Sequence, residues 1–222
     1  MTKFSKMWSG ESAEPSKPRF TNRFLNRVNP PPSLKETLEK AERTIRNQLY
    51  KLDMVLAKLN DKDKKLLQQI ERTIQKRDNG HATILANELV EIRKMTRMVA
   101  QARYALEAIA LRLETARDLG DIVVTLAPAV AAIKNIQGGV AGIIPTAEDN
   151  FTEIGGLLSD ILVNAGQNGE TKLDFNIANQ DAEKILAEAS ALAEESLREK
   201  IPSVPAGIPK SISSIFQEEE LT

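Results

Sequence analysis

The chain has 222 residues, 41% of them hydrophobic and only 4% aromatic, and its net charge is −1. Ala, Leu, Glu, Lys, Arg and Ile dominate, and because this is the composition of long helices we predict an all-α fold. The sequence contains no cysteine, which excludes disulfides and thiolate metal sites.

The near-neutral total hides an uneven distribution of charge. Residues 1–140 hold 25 basic and 16 acidic side chains, a net charge of +9, whereas residues 141–222 hold 5 and 15, a net charge of −10. This division predicts a basic surface for an anionic partner, an acidic segment able to fold back on it, or both.

Residues 1–33 are predicted to form a flexible, basic, amphipathic arm that ends at the proline run of NPPPS. Phe4, Met7 and Trp8 stand at i, i+3 and i+4, so one helical turn gathers them on one side, beside Lys3 and Lys6. Apolar rings flanked by lysines are typical of a segment that inserts into the surface of an anionic membrane.

The stretch RFTNRFLNRV repeats this pattern, with a row of apolar residues at every fourth position and a row of arginines beside it. It either contacts the membrane as well or packs on the helices that follow. The predicted membrane-binding residues are Lys3, Phe4, Lys6, Met7, Trp8, Arg19, Phe20, Arg23, Phe24 and Arg27.

From Leu34 the apolar residues recur every three or four positions as far as Ile74, and a second such stripe runs from Leu85 to Leu113. Between them, RDNGH supplies Asp78, Asn79 and Gly80, which tolerate left-handed backbone angles, so we predict a turn near 78–81 and a long antiparallel helical hairpin. Asp63, in DKDKK, occupies an expected apolar position of the first stripe, which predicts a kink or weak point there.

Shorter helices are predicted to follow the hairpin, at about 121–136 and 147–164, with the Gly138-Gly139 pair read as a helix breaker or a close-packing point. The first of these helices contains Pro128 and Lys134 and is too short to cross a bilayer. We assign 34–165 to a helical core, 166–175 to a linker, 176–200 to an acidic helix and 201–222 to a flexible, proline-containing tail.

The sequence offers little for catalysis or metal binding. His81 is the only histidine, no cysteine can serve as a nucleophile, and no phosphate-binding glycine loop is present. We therefore expect a protein that is not an enzyme and that has no cofactor, no metal and no catalytic residues.

A basic arm with an amphipathic start, a long helical hairpin, shorter helices, an acidic helix and a proline motif follow one another in an order that resembles the ESCRT-III family. The resemblance covers roughly residues 20–205 and is greatest to the archaeal CdvB-type cell-division proteins. The chain has no room for the winged-helix-like C-terminus of the member that bridges to the membrane-bound division protein, so it resembles a shorter paralogue.

One short segment carries the most specific part of the resemblance. Ile201-Pro202-Ser203-Val204-Pro205 is similar to the type 2 MIT-interacting motif, although Ile201 stands where leucine is more usual. The resemblance implies that Ile201, Pro202, Val204 and Pro205 dock on the MIT domain of the ESCRT AAA ATPase.

The resemblance further implies a subunit that polymerises with itself and with related paralogues. Such filaments would lie on the inner face of the cell membrane at the division site, in the cytoplasm, and constrict or cut the membrane. In the monomer, we expect the acidic C-terminal part to lie on the basic half until assembly. Two other functions stay open: a coiled-coil scaffold without membrane activity and, although no nucleic acid is expected as a partner, a nucleic-acid-binding helical protein.

Overall fold

The computed structural model of the protein describes residues 33–119, 122–167 and 175–201. It confirms the all-α fold, a long antiparallel hairpin followed by shorter helices, and the described ranges contain no strand. The helices are α1 (Leu34–Gln75), α2 (Asn79–Leu119), α3 (Ile122–Val140), α4 (Pro145–Gln167) and α5 (Phe175–Lys200).

The hairpin of α1 and α2 is held by apolar side chains that line the facing sides of the two helices. Leu38, Ala41, Ile45 and Leu52 lie on one face of α1 and are all but inaccessible to solvent. Spacings of three and four residues place them on one side of the helix, where α2 covers them. Burial of this stripe, rather than intrinsic helix propensity, accounts for most of the stability of helices of this length.

The turn between the two helices differs from the expected one. Arg77, with φ of 62°, has the left-handed conformation, whereas Gly80 lies inside the first turn of α2. The amide of Arg77 donates to the Ile74 carbonyl at 2.8 Å and that of Asp78 to the Thr73 carbonyl at 3.2 Å, which closes α1 with a Schellman motif. Asp78 then begins α2 as its N-cap, because its Oδ1 accepts the amide of His81 at 3.1 Å.

The predicted weak point at DKDKK does not interrupt α1, which continues through Asp63 to Gln75. Asp63 is only 2% exposed, and its Oδ1 accepts a hydrogen bond from Arg93 Nε of α2 at 2.8 Å. The carboxylate can therefore stand in an apolar stripe because a cation from the opposite helix compensates its charge.

Helices α3 and α4 form a second antiparallel pair that packs against the hairpin. α3 continues through the Gly138-Gly139 pair to Val140, and an added Cβ at either glycine would meet no atom within 4 Å, so neither of the two expected roles applies. Gly155 of α4, by contrast, brings the helices close, because its Cβ would lie 3.4 Å from Cγ2 of Ile133. α3 is also long and apolar enough to cross a membrane; eight of its residues, including Pro128, are buried in this fold.

Helix α5 lies on α2 and α3, so the acidic helix is folded back on the basic half of the chain. Its contact surface is apolar and narrow. The buried positions follow a spacing of three or four residues, and they are Ala178, Ala182, Ile185, Ala189 and Ala193. The contact that charge alone would predict to be electrostatic is thus built largely from small apolar side chains.

Candidate functional site

The structure leaves most of the sequence-predicted binding residues untested. The arm residues from Lys3 to Arg27 lie outside the described part of the chain, as do Pro202, Val204 and Pro205. Ile201 is the last described residue, half-buried, and its amide donates to the Leu197 carbonyl at 2.8 Å. The proposed motif therefore starts directly at the C-terminal end of α5.

A row of basic side chains on α1 forms a surface that the sequence analysis missed. The residues are spaced by four, three, seven and four positions, which is the repeat of one helical face, and Gln69 fills the gap in the row. We call the row the cation stripe; it consists of Lys58, Lys62, Lys65, Arg72 and Lys76. At 1.5 Å per residue the stripe is about 27 Å long.

The five cations of the stripe are exposed on the surface of the hairpin. Each side chain is open to solvent, and none forms an ion pair or side-chain hydrogen bond within the described residues. Asp61, three residues after Lys58 and four before Lys65, is the nearest acid on the helix surface, and it forms no ion pair with either lysine among the described residues. A line of like charges without internal partners retains its full capacity to attract an anionic surface.

Cations nearer the start of α1 are used differently, because α4 lies alongside them. Lys40 Nζ is 3.3 Å from Glu153 Oε1, and Lys51 Nζ donates to Asn150 Oδ1 at 3.1 Å. These two lysines thus connect α1 to α4. The stripe begins where such contacts end.

Arginines of α2 that face α1 are likewise engaged in structural pairs. Arg103 Nε donates to Asp53 Oδ1 and its Nη1 to Glu107 Oε2, each at 2.8 Å, and the guanidinium lies 4.9 Å from the ring centre of Tyr104. Partial burial acts against its charged form, but the hydrogen bond to Asp53 and the negative charges of Glu107 and Asp53 outweigh this, so the pKa of Arg103 is raised.

Other features of the described residues give no comparable site. An apolar cavity of about 120 Å³ between α2, α3 and α5 is bordered by Met98, Ile136 and Leu186. It offers no charged side chain to a ligand. No group of three or more His, Asp or Glu within the described ranges is placed to hold a metal ion.

The stripe was overlooked because acids and bases alternate along the hairpin when the sequence is averaged over short windows. DKDKK reads as a mixed-charge segment, but folding separates its members: Asp63 turns into the core, and Lys62 and Lys65 turn outward. Counting cations along a single helical face, with steps of three and four, is the signal that finds the stripe.

Comparison with known proteins places this hairpin in a family. Residues 40–145 match the Snf7 family model. The chain is 34% identical to Cell division protein B1 of Sulfolobus acidocaldarius, over 78% of this chain and 81% of that protein.

Two further relatives come from the same organism. Identity is 28% to Cell division protein B, over 78% of this chain and 67% of the relative, and 26% to Cell division protein B3, over 74% and 95%. No solved structure matches the chain. The protein therefore belongs to the ESCRT-III (Snf7) family and is related within it to the archaeal cell-division proteins of the CdvB type.

Proposed function

We propose that the protein is a non-catalytic, filament-forming subunit that acts on the cell membrane during division, where its polymers constrict or cut the membrane. The observation that carries the proposal is the cation stripe, an exposed row of charge on one face of α1 that has no ion-pair partner among the described residues. The subunit binds the anionic inner face of the membrane from the cytoplasm. The names of its relatives support the role in cell division.

The energetics of the stripe suit reversible binding. Each Lys or Arg close to an anionic bilayer contributes about 1 kcal/mol, so five collinear cations supply about 5 kcal/mol before the arm is counted. The aromatic residues of the arm add apolar insertion to this attraction. Stable attachment requires two such signals, since neither is strong by itself.

Assembly with related subunits is the second part of the proposal. Three cell-division proteins of one organism share 26 to 34% identity with this chain, which supports a set of paralogues that polymerise together. A filament places many stripes side by side, and the binding energies then act together, because attachment of one subunit raises the effective concentration of the next.

Sedimentation with vesicles tests the membrane role, with anionic vesicles, neutral vesicles and duplex DNA at one ionic strength. A stripe variant carries Lys62→Gln, Lys65→Gln and Arg72→Gln. A control variant loses the same charge from three separate surfaces through Lys35→Gln, Lys134→Gln and Lys200→Gln, each of which is exposed. Loss of about 3 kcal/mol predicts roughly 100-fold weaker binding of the stripe variant to anionic vesicles, and the control should change far less.

Equal weakening of the two variants would contradict the stripe, because it would show that only net charge matters. Binding to duplex DNA in preference to anionic vesicles would favour the nucleic-acid function, and binding to neither would favour a coiled-coil scaffold. In the same assay, replacement of Phe4 and Trp8 by Ala should weaken vesicle binding and leave the melting temperature nearly unchanged, because the arm lies outside the helical core in this proposal.

We further propose that the tail binds the MIT domain of an AAA ATPase that extracts the subunit from filaments. Pro202 and Pro205 favour an extended backbone, which reduces the entropy lost on docking. Val204→Asp should abolish binding to an MIT domain in calorimetry and leave the circular dichroism spectrum unchanged. Ser203→Ala, which changes the neighbouring polar residue, is the matched control. Equal affinities of wild type and Val204→Asp would show that the motif has no such role.

A further inference from the structure

Residues of the hairpin take part in two apolar cores of very different size. The body core comprises 28 buried residues from all five helices and reaches the tip only as far as Leu59 and Ile92. The tip core, at the far end of the hairpin, is built from residues of α1 and α2 and consists of Leu67, Ile70, Ala82, Ala86, Leu89 and Val90. Among the described residues, only half-buried Leu66 packs against both cores.

A polar layer separates the two cores. It contains the Asp63–Arg93 ion pair, whose side chains are 3% and 10% exposed, and Asn60 beside it. Oδ2 of Asp63 and Oδ1 of Asn60 are buried, and no donor among the described residues forms a hydrogen bond with either. Desolvated charges and unsatisfied oxygens are costly, so this layer lowers the cooperativity that a continuous apolar seam would give to the hairpin.

From these observations we infer that the hairpin tip, residues 64–91, opens as a separate cooperative unit that has the Asp63–Arg93 layer as its boundary. When the tip opens, Asp63 and Arg93 become hydrated. The free energy of this hydration offsets part of the cost of exposing the apolar side chains of the tip core. The body core stays intact, since the two cores share almost no side chains. Local opening below the free energy of global unfolding is expected where apolar burial is small.

The boundary of the tip divides the cation stripe into two parts. Lys65, Arg72 and Lys76 lie on the tip side of the boundary, whereas Lys58 and Lys62 lie on the body side. The tip can therefore change conformation under load and leave the body of the subunit folded. This inference concerns the stability of the free protein and does not require that the stripe binds membranes.

Native-state hydrogen exchange of the full chain tests the inference, read by mass spectrometry on peptides within 67–90 and within 99–113. In the wild type the tip amides should exchange at least about 10-fold faster than the body amides, with a common rate and a smaller dependence on denaturant. Leu89→Ala should accelerate tip exchange about 30-fold or more and leave body exchange unchanged. Leu106→Ala is the reciprocal control and should accelerate the body only.

A double variant tests the boundary itself. Asp63→Leu with Arg93→Leu replaces the polar layer by apolar side chains and should slow tip exchange by about 10-fold, because buried ion pairs are commonly no more stabilising than well-packed apolar residues. Unchanged tip exchange in a folded double variant would overturn the role of the layer. If the double variant does not fold, the two single alanine variants still decide: equal acceleration of tip and body by Leu89→Ala would show one cooperative unit and refute the inference.

Discussion

The two halves of α1 share an apolar periodicity but have different surroundings. Both halves bury an apolar stripe against α2 and present lysines and arginines on the opposite side. In the first half Lys40 and Lys51 contact α4, whereas in the second half the cations of the stripe have no ion-pair partner within the described ranges. The role of a surface cation on this helix is thus determined by whether another helix lies beside it, and the number of charges alone does not reveal it.

The largest expected effect comes from truncating a buried side chain of the body core, in comparison with an exposed side chain on α1. Phe151 is the bulkiest fully buried side chain and contributes to the core that α4 shares with the hairpin. Phe151→Ala should lower the free energy of unfolding by about 3–5 kcal/mol in urea denaturation followed by circular dichroism. Tyr50→Ala, at a site that is 67% exposed on α1, should cost no more than about 0.5 kcal/mol. Equal losses would mean that the body does not depend on its buried aromatic ring.

An intermediate effect is expected at the contact between α5 and the body core. Ile185 is the only large fully buried side chain among the described positions of α5, so Ile185→Ala should weaken docking of the helix by about 2–4 kcal/mol. Ala189 lies in the same row, but its side chain is a single methyl group, so a substitution that removes it takes away less buried apolar surface than Ile185→Ala does. Deletion of residues 171–222 removes the cover altogether and should promote filaments on anionic vesicles, as seen by light scattering and electron microscopy.

Added salt distinguishes an apolar contact of α5 from an electrostatic one. Because the buried face of α5 is apolar, added salt should not reproduce the effect of the deletion, in contrast to a latch made of surface ion pairs. A deletion variant that stays monomeric on vesicles that polymerise the full chain would rule out a masking role for α5.

The smallest expected effect is a gain in stability at the end of the hairpin. Arg77 adopts a left-handed conformation at a position where helices usually end in glycine. Arg77→Gly should relieve this strain and raise the stability by about 0.5–1 kcal/mol, less the extra entropy of the unfolded chain. Hydrogen exchange of the tip is the appropriate measurement, and Lys76→Gly, one residue earlier, should be destabilising.

Much of the fold was predictable because helical periodicity is a local property of the sequence. The spacing of Leu38, Ile45 and Leu52 predicts the hairpin face directly. The Asp63–Arg93 pair was not predictable, since its partners are 30 residues apart and their pairing depends on the register of the two helices. The same register determines that Asp63 points inward, which keeps this acid out of the row of exposed cations on α1.

The details of helix ends were the least predictable. Gly80 and the Gly138-Gly139 pair are residues that favour turns, but here each lies inside a helix, because packing of the flanking residues extends the helix past it. Arg77, with no propensity for the left-handed region, forms the turn because the helices on either side fix its backbone. Tertiary contacts outweigh single-residue preferences of about 1 kcal/mol.

The short length of the cation stripe has a geometric consequence for membranes of different shape. A line about 27 Å long touching a cylinder of radius about 100 Å departs from its surface by only about 1 Å at each end, far less than the screening length of about 8 Å. Under the proposed membrane role, one subunit should therefore bind a flat sheet and a narrow tube almost equally well. Preference for a given radius must arise from the angle between neighbouring subunits, so a monomer should bind without regard to curvature and a filament should not.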